Sequence, residues 1–354
     1  MKRSLSLLLV LALLLAGLAA LAGCGGTADD YDDYTEEVYD ETDEPMDAPG
    51  EPVEGGEETT APVGSYGASA REHLEAITAI GARWSGSEEE AETAEYIRDA
   101  FSGMGYAPEV QPFTAIGEDD GEEIESANVV AVKEGDSDQR IIVGAHYDSS
   151  DEGLGTDDNA SGVAVLLEAA ELVADESTPY TIVFIAFGGE EAGILGSTAY
   201  VGEMDADEIE NTILFINMDS IVAGDIAYVY GDSADGDTAR DWALGWAGDN
   251  GYDLETVEDA DLSQDGESTA DYAPFLEAGI PWIYFEATDW TLGNEDGYTQ
   301  VDPQYGKDGA IIHTEYDNLE YLDETFPGRV EAHLDLYIAV LYNLLTAYQS
   351  PQQD

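Results

Sequence analysis

The chain has one cysteine, four histidines and ten basic residues among 354. A single sulfur excludes a disulfide framework, a thiolate zinc finger and an iron-sulfur cluster, each of which needs several. Any metal here must therefore be held by oxygen and nitrogen. Against the ten Lys and Arg stand 79 Asp and Glu, a formal charge of -69. A field of that sign repels a phosphate backbone over the whole surface, which excludes nucleic acid as a partner. Apolar material is not scarce: 44% of residues are hydrophobic, enough for a real core, so a disordered chain is excluded as well.

Met1-Lys2-Arg3 precedes an almost unbroken apolar run from Leu5 to Ala22, the charged and apolar regions of an export signal. The run ends in Leu21-Ala22-Gly23-Cys24, which resembles a bacterial lipobox. That resemblance implies cleavage before Cys24, lipidation of its sulfur and an extracytoplasmic protein anchored to the cell membrane, the alternative being an uncleaved anchor. Residues 1–23 are thus expected to be a lipoprotein signal peptide. From Cys24 to Ser65 there is no basic residue, and Asp, Glu, Thr, Tyr, Gly and Pro dominate. Residues 24–65 are expected to be an acidic disordered tether, and residues 66–354 the folded domain. That domain still carries 64 acidic and 8 basic residues. Self-repulsion of this size is relieved by salt, whose screening length falls from about 10 Å at 0.1 M to about 3 Å at 1 M. The balance reads as halophilic, with a calcium-loaded acidic surface as the alternative.

Within the domain, residues 69–104 carry two helical patterns, the second with Ala91, Ala94, Ile97 and Phe101 at spacings of three or four. The period then changes. Short apolar runs at 128–132, 141–145, 181–187, 213–217, 226–230 and 281–285 predict strands, and stretches at 160–174, 237–250 and 327–348 predict helices. The alternation is α/β. Near-continuous apolarity in Ile182-Val183-Phe184-Ile185-Ala186-Phe187 marks a strand buried on both faces, which predicts a mostly parallel twisted central sheet with helices on both faces. Ligands of such sheets sit beyond the carboxyl ends of the strands.

Those ends are where polar residues gather. The run 141–145 leads into His146-Tyr147-Asp148, the run 181–187 into Gly188-Gly189-Glu190-Glu191, and the run 213–217 into Met218-Asp219. Between the first two, Asp157-Asp158-Asn159-Ala160-Ser161-Gly162 opens a helix, and Ile311-Ile312-His313 adds a second histidine. In so acidic a chain the carboxylates alone carry little weight. Histidine is rarer: His73 and His333 lie in helical stretches where a polar face accounts for them, whereas His146 and His313 follow apolar residues beside carboxylates. Imidazole with carboxylate suits Zn²⁺. Two histidines and three carboxylates fill two metal sites if one carboxylate bridges, and a remaining glutamate can take a proton from water.

The ordered set His-x-Asp, Asp-Asp-Asn-Ala-Ser-Gly, Glu-Glu, Asp after a strand and a late His resembles the co-catalytic di-zinc aminopeptidases, over roughly residues 70–348. The resemblance implies the phosphorylase/hydrolase-like fold of zinc exopeptidases. It implies two Zn²⁺: His146 and Asp219 as ligands of one, Glu191 and His313 of the other, and Asp158 as the bridge. By the same resemblance Glu190 is the general base, Asp148 orients the His146 imidazole, and the Asp158–Asn159 peptide is cis. There are two departures. Tyr272 stands where His usually follows the Asp, and Ile312 stands where some members place an oxyanion-stabilising tyrosine, with Tyr316 and Tyr284 as substitutes.

The function so implied is removal of N-terminal residues from peptide substrates by a hydroxide shared between two zinc ions. The alternatives are a related zinc carboxypeptidase, a glutaminyl cyclase-like enzyme, and a non-catalytic binding lipoprotein on the same scaffold. Trp290, Tyr298 and Tyr305 either line a substrate cleft or cover core.

Overall fold

Apolar runs and helical stretches alternate along the chain, and the folded product follows that alternation. The computed structural model describes residues 64–117, 121, 123–231, 238–257, 262–264, 267–268, 270–293 and 298–350. The expected signal peptide, Cys24 and all but the last two residues of the expected tether lie outside the described residues. In chain order come α1 (Ala68–Ile80), α2 (Glu88–Gly103), β1 (Glu109–Ile116), β2 (Glu123–Lys133) and β3 (Arg140–His146). A π-type turn (Thr156–Ser161) then leads into α3 (Gly162–Val173), followed by β4 (Thr181–Phe187), α4 (Leu195–Glu203), α5 (Ala206–Asn211), β5 (Thr212–Met218) and β6 (Ile226–Gly231). The rest is α6 (Ala239–Asp249), the short pair β7 (Ser263–Gln264) and β8 (Glu267–Ser268), α7 (Tyr272–Glu277), β9 (Trp282–Thr288), α8 (Leu319–Thr325) and α9 (Arg329–Ala347).

Seven strands form one sheet in the order β1-β2-β4-β3-β5-β9-β6. The expected parallel character belongs to the four central strands, β4, β3, β5 and β9. The flanks β1, β2 and β6 pair antiparallel, which makes the sheet mixed. β1 has no continuous apolar run because it is an edge strand, alternately open to solvent, and it tolerates Pro112 for the same reason.

The central strands show why the sheet is covered twice. Along β4, Ile182, Phe184 and Ala186 enter one core layer, and Val183, Ile185 and Phe187 enter the other. The first layer is roofed by apolar faces of α1, α2, α3, α6 and α9, and the second by the shorter α4, α5 and α7. Each fully buried aliphatic or aromatic side chain contributes about 1.5–3 kcal/mol, so the long helices and the large layer coincide. In β3, Gly144 lies under the rings of Phe187 and Phe215, where any Cβ would collide, and Phe215 stacks on Phe275 at 3.8 Å.

The entry to the domain is pinned by acids from distant helices. α1 has no side-chain cap of its own. Instead the buried Glu168 of α3 accepts the N–H groups of Gly67 (2.8 Å) and Ala70 (2.6 Å). Asp335 of α9 accepts those of Gly64 (2.7 Å) and Tyr66 (2.9 Å). A carboxylate at a helix N-terminus satisfies orphan donors and complements the dipole. Glu168→Ala leaves two buried N–H groups without an acceptor, and is expected to lower stability by about 2 kcal/mol in denaturant titration. An unchanged midpoint would show that the cap contributes nothing.

Candidate metal centre

Three adjacent parallel strands, β4, β3 and β5, end at the same edge of the sheet, and each carries chemistry at or just past its end. His146 is the final residue of β3, Glu190-Glu191 follow β4 and Asp219 follows β5. The turn that starts α3 brings Asp158 to this edge. His313 arrives on a loop with no strand beneath it, in a left-handed conformation (φ 54°).

These side chains form two donor sets that share one carboxylate. His146, Asp158 and Asp219 make the first, and Asp158, Glu191 and His313 the second, with donor atoms in each within 4.8 Å of one another. Asp158 faces both: its Oδ1 lies 3.1 Å from His146 Nε2, and its Oδ2 lies 3.0 Å from His313 Nε2. Asp219 Oδ1 is 3.4 Å from His146 Nε2, and Glu191 Oε2 is 3.1 Å from His313 Nε2. Glu190 approaches His146 Nε2 only to 4.0 Å and belongs to neither set.

The electrostatics match a centre built around cations. Burial disfavours the charged Asp158 carboxylate, but hydrogen bonds from His146 and His313 outweigh it and hold its pKa far below the usual range. Burial likewise opposes charge on His146, and Asp219 and Glu190 overcome it to raise the imidazole pKa well above its ordinary value. Asp158 and Glu191 push that of His313 up to about 12. For Glu190 burial wins: its pKa is raised well above the carboxylate range, with Asp271, Asp219 and Glu191 adding to the rise and His146 opposing it. Crowded, mostly buried carboxylates with imidazole nitrogens among them are a nitrogen-and-oxygen donor set that fits divalent zinc. Glu191 Oε1, buried without a hydrogen-bond partner, fits a ligand better than an internal acceptor.

Behind these side chains runs a shell of backbone clamps. Asp148 Oδ1 lies 3.5 Å from His146 Nδ1, on the side of the ring that the expected orienting role requires. It accepts the N–H groups of Glu190 and Glu191, both at 3.1 Å, and the Ser85 hydroxyl at 2.6 Å. It thereby ties the end of β3 to the turn after β4. The Asp158–Asn159 peptide is cis, as expected. The Asn159 side chain donates to Met218 O and accepts from Gly162 N, at 2.8 and 2.9 Å, joining the turn to the end of β5. Asp317 accepts the N–H groups of Asp157 (2.6 Å) and Asp158 (3.2 Å). The fully buried guanidinium of Arg83 donates to the carbonyls of Gly81, Tyr147, Leu154 and Gly155 at 2.7–3.0 Å, fixing both loops that flank His146 and Asp158.

The sequence reading does not reach Arg83, Ser85, Asp317 or Gln300. Asp317 has no signal in a chain this acidic. Arg83 has one in its rarity, being one of eight basic residues after position 65. The remaining histidines stand apart: His73 pairs with the Tyr96 hydroxyl at 2.7 Å, and His333 packs edge-on to Tyr337. Of the aromatic residues proposed for a cleft, Trp290 donates to the Tyr230 hydroxyl at 2.7 Å and Tyr305 packs on Phe326. Trp290 covers a core face, while Tyr305 and Tyr298 are 37% and 47% exposed. Tyr272 stacks on Trp282 at 4.2 Å. Of the substitutes for an oxyanion donor, Tyr284 is buried and stacks on Tyr272. Tyr316 lines an open cavity of about 640 Å³ with Glu152, Lys307 and Thr314.

The profile of peptidase family M28 matches residues 128–337. The chain is similar to the alkaline phosphatase isozyme conversion protein of Escherichia coli (strain K12), 33% identical over 278 residues that cover 70% of this chain and 81% of that one. It is 28% identical to aminopeptidase YwaD of Bacillus subtilis (strain 168), over 64% of this chain and 46% of the relative. It is 32% identical to the probable lipoprotein aminopeptidase LpqL of Mycobacterium tuberculosis, over 57% and 42%. The chain thus spans less than half the length of these last two. Among solved structures, BSAP, a zinc aminopeptidase from Bacillus subtilis, aligns with a TM-score of 0.63 at 19% identity, over 80% of this chain and 96% of that one. The Porphyromonas gingivalis glutaminyl cyclase aligns with a TM-score of 0.59 at 21% identity, over 78% and 98%. At these identities the structural likeness establishes the fold.

Proposed function

The chain belongs to peptidase family M28, and from that premise we propose that it is a two-zinc aminopeptidase, held outside the cytoplasm by a lipid on Cys24. The observation that carries the proposal is Asp158 shared between two donor sets, with Glu190 beside both and part of neither. His146, Asp219 and Asp158 would hold one zinc ion and Glu191, His313 and Asp158 the other, which would supply acidification of a water and polarisation of the scissile carbonyl. The chain's own residues do the rest. Glu190 takes the proton from the attacking water and returns it to the departing amine. Asp148 keeps Glu190 and Glu191 in register through their backbone N–H groups. The acidic surround attracts a cationic amino terminus over an anionic carboxylate, which favours aminopeptidase over carboxypeptidase. The names of YwaD and LpqL support the activity, and that of LpqL the lipoprotein reading. Among the described residues no helix is long and apolar enough to cross a membrane.

The test is hydrolysis of a panel of aminoacyl anilides by the full-length protein in high salt, with and without chelator. Free-amine substrates are expected to be cleaved, N-acetylated ones spared, and chelator to abolish turnover. Cyclisation of N-terminal glutamine without hydrolysis would replace this reading with the cyclase one. Absence of any turnover would leave a binding lipoprotein.

A further inference from the structure

His313 is the ligand whose position no strand explains. Its loop follows Gly309 and precedes α8, and its side chain is 57% exposed, so packing does not hold it. Hydrogen bonds fix the loop, and two of them end on one buried amide. Gln300, 2% exposed, uses its Oε1 to accept the N–H groups of Ile311 (3.0 Å) and Ile312 (2.9 Å). Its Nε2 donates to Asp157 Oδ2 at 2.7 Å. Asp157 precedes the bridging Asp158. Its other oxygen accepts the N–H groups of Val222 (2.7 Å) and Ala223 (3.0 Å), just past Asp219. The backbone of Gln300 is itself tied down, its N–H to Gly309 O at 3.0 Å and its C=O to Asp225 N at 2.8 Å. One side chain therefore spans from the segments carrying Asp158 and Asp219 to the segment carrying His313.

We propose that Gln300 is the positioning residue of the second metal site, setting the place of His313 relative to Asp158 and so chiefly the affinity of the Glu191–His313 side. The proposal rests on the two-metal reading above. The physical reason is an asymmetry of support. His146 and Asp219 are carried on strand ends registered by the sheet, while His313 lies on a loop fixed by the buried Ile311, by the Thr314 hydroxyl on Ile311 O and by the two N–H groups that Gln300 holds. Partners of this kind typically account for 10- to 100-fold in metal affinity.

The experiment is calorimetric zinc titration of the metal-free full-length protein, with Gln300→Met, His313→Ala and the double variant alongside wild type. Gln300→Met keeps the length of the side chain and removes both hydrogen-bonding ends. It is expected to bind one zinc ion about 10- to 100-fold more weakly and to change the affinity for the other far less. In the His313→Ala background the same change is expected to have no further effect, because the group it positions is gone. Unchanged affinity at both sites, equal weakening of both, or additive losses in the double variant would overturn the proposal. If Gln300→Met does not fold, Gln300→Asn is read by the same criterion, since it stays polar but is one methylene too short to reach both Asp157 and the N–H groups of Ile311 and Ile312. A wild type holding a single zinc ion would sink the two-metal reading and this inference with it. A two-zinc wild type with an indifferent Gln300→Met sinks only the inference.

Discussion

Asp158→Ala is expected to abolish binding of both zinc ions at once, where His313→Ala or Asp219→Ala removes only one. The expectation follows from the geometry of a single carboxylate whose two oxygens face two different imidazoles, at 3.1 and 3.0 Å. Without it each side retains two protein ligands, His146 with Asp219 and Glu191 with His313. Catalytic zinc sites generally keep three. The fold should survive, because Asp317 grips the backbone N–H of Asp158 and not its side chain. Asn159, which fastens the turn to Met218, is untouched. Metal content after dialysis against buffered zinc, measured with far-UV circular dichroism, checks both points. A folded Asp158→Ala protein that still holds two zinc ions at wild-type affinity would remove the bridge from the reading.

Glu190→Gln is the second large effect, and it is expected to separate chemistry from metal binding. Glu190 is 4.0 Å from the nearest ligand nitrogen and contributes to neither donor set, so zinc content should be unchanged. The glutamine keeps the shape and cannot accept a proton. General acid-base groups contribute about 10²- to 10⁴-fold, equivalent to about 3–5 kcal/mol of transition-state stabilisation. A fall of that size in kcat with little change in KM is expected. Full turnover by a variant that retains both metals would mean that another group moves the proton. Loss of zinc would mean that Glu190 is a ligand after all.

How much of this was legible without coordinates differs by residue. The strand at 181–187 was readable to its ends because both of its faces are buried, which leaves an uninterrupted apolar run. β1 was not, because an edge strand open on alternate residues carries no such run. His146, Glu190, Glu191 and Asp219 were legible because each follows a buried strand directly, and position along a parallel strand is also position at the sheet edge. His313 was legible only through its rarity and a family resemblance, since nothing in its neighbourhood says which edge its loop reaches.

The sequence by itself determined the chemical inventory: an acidic chain without thiolate ligands, a parallel sheet centre and a set of imidazoles and carboxylates at strand ends. Only the tertiary structure decided how that inventory is shared. It made Asp158 the one acid among the described residues that faces both histidines, left Glu190 outside both sets, turned Asp148 toward the backbone of the Glu190-Glu191 turn, and buried Arg83 and Gln300 as clamps. The reason is that local periodicity reports which face of an element is apolar, whereas the meeting of residues as far apart as 157 and 300 depends on loops whose course is set by hydrogen bonds from side chains with no periodic signature.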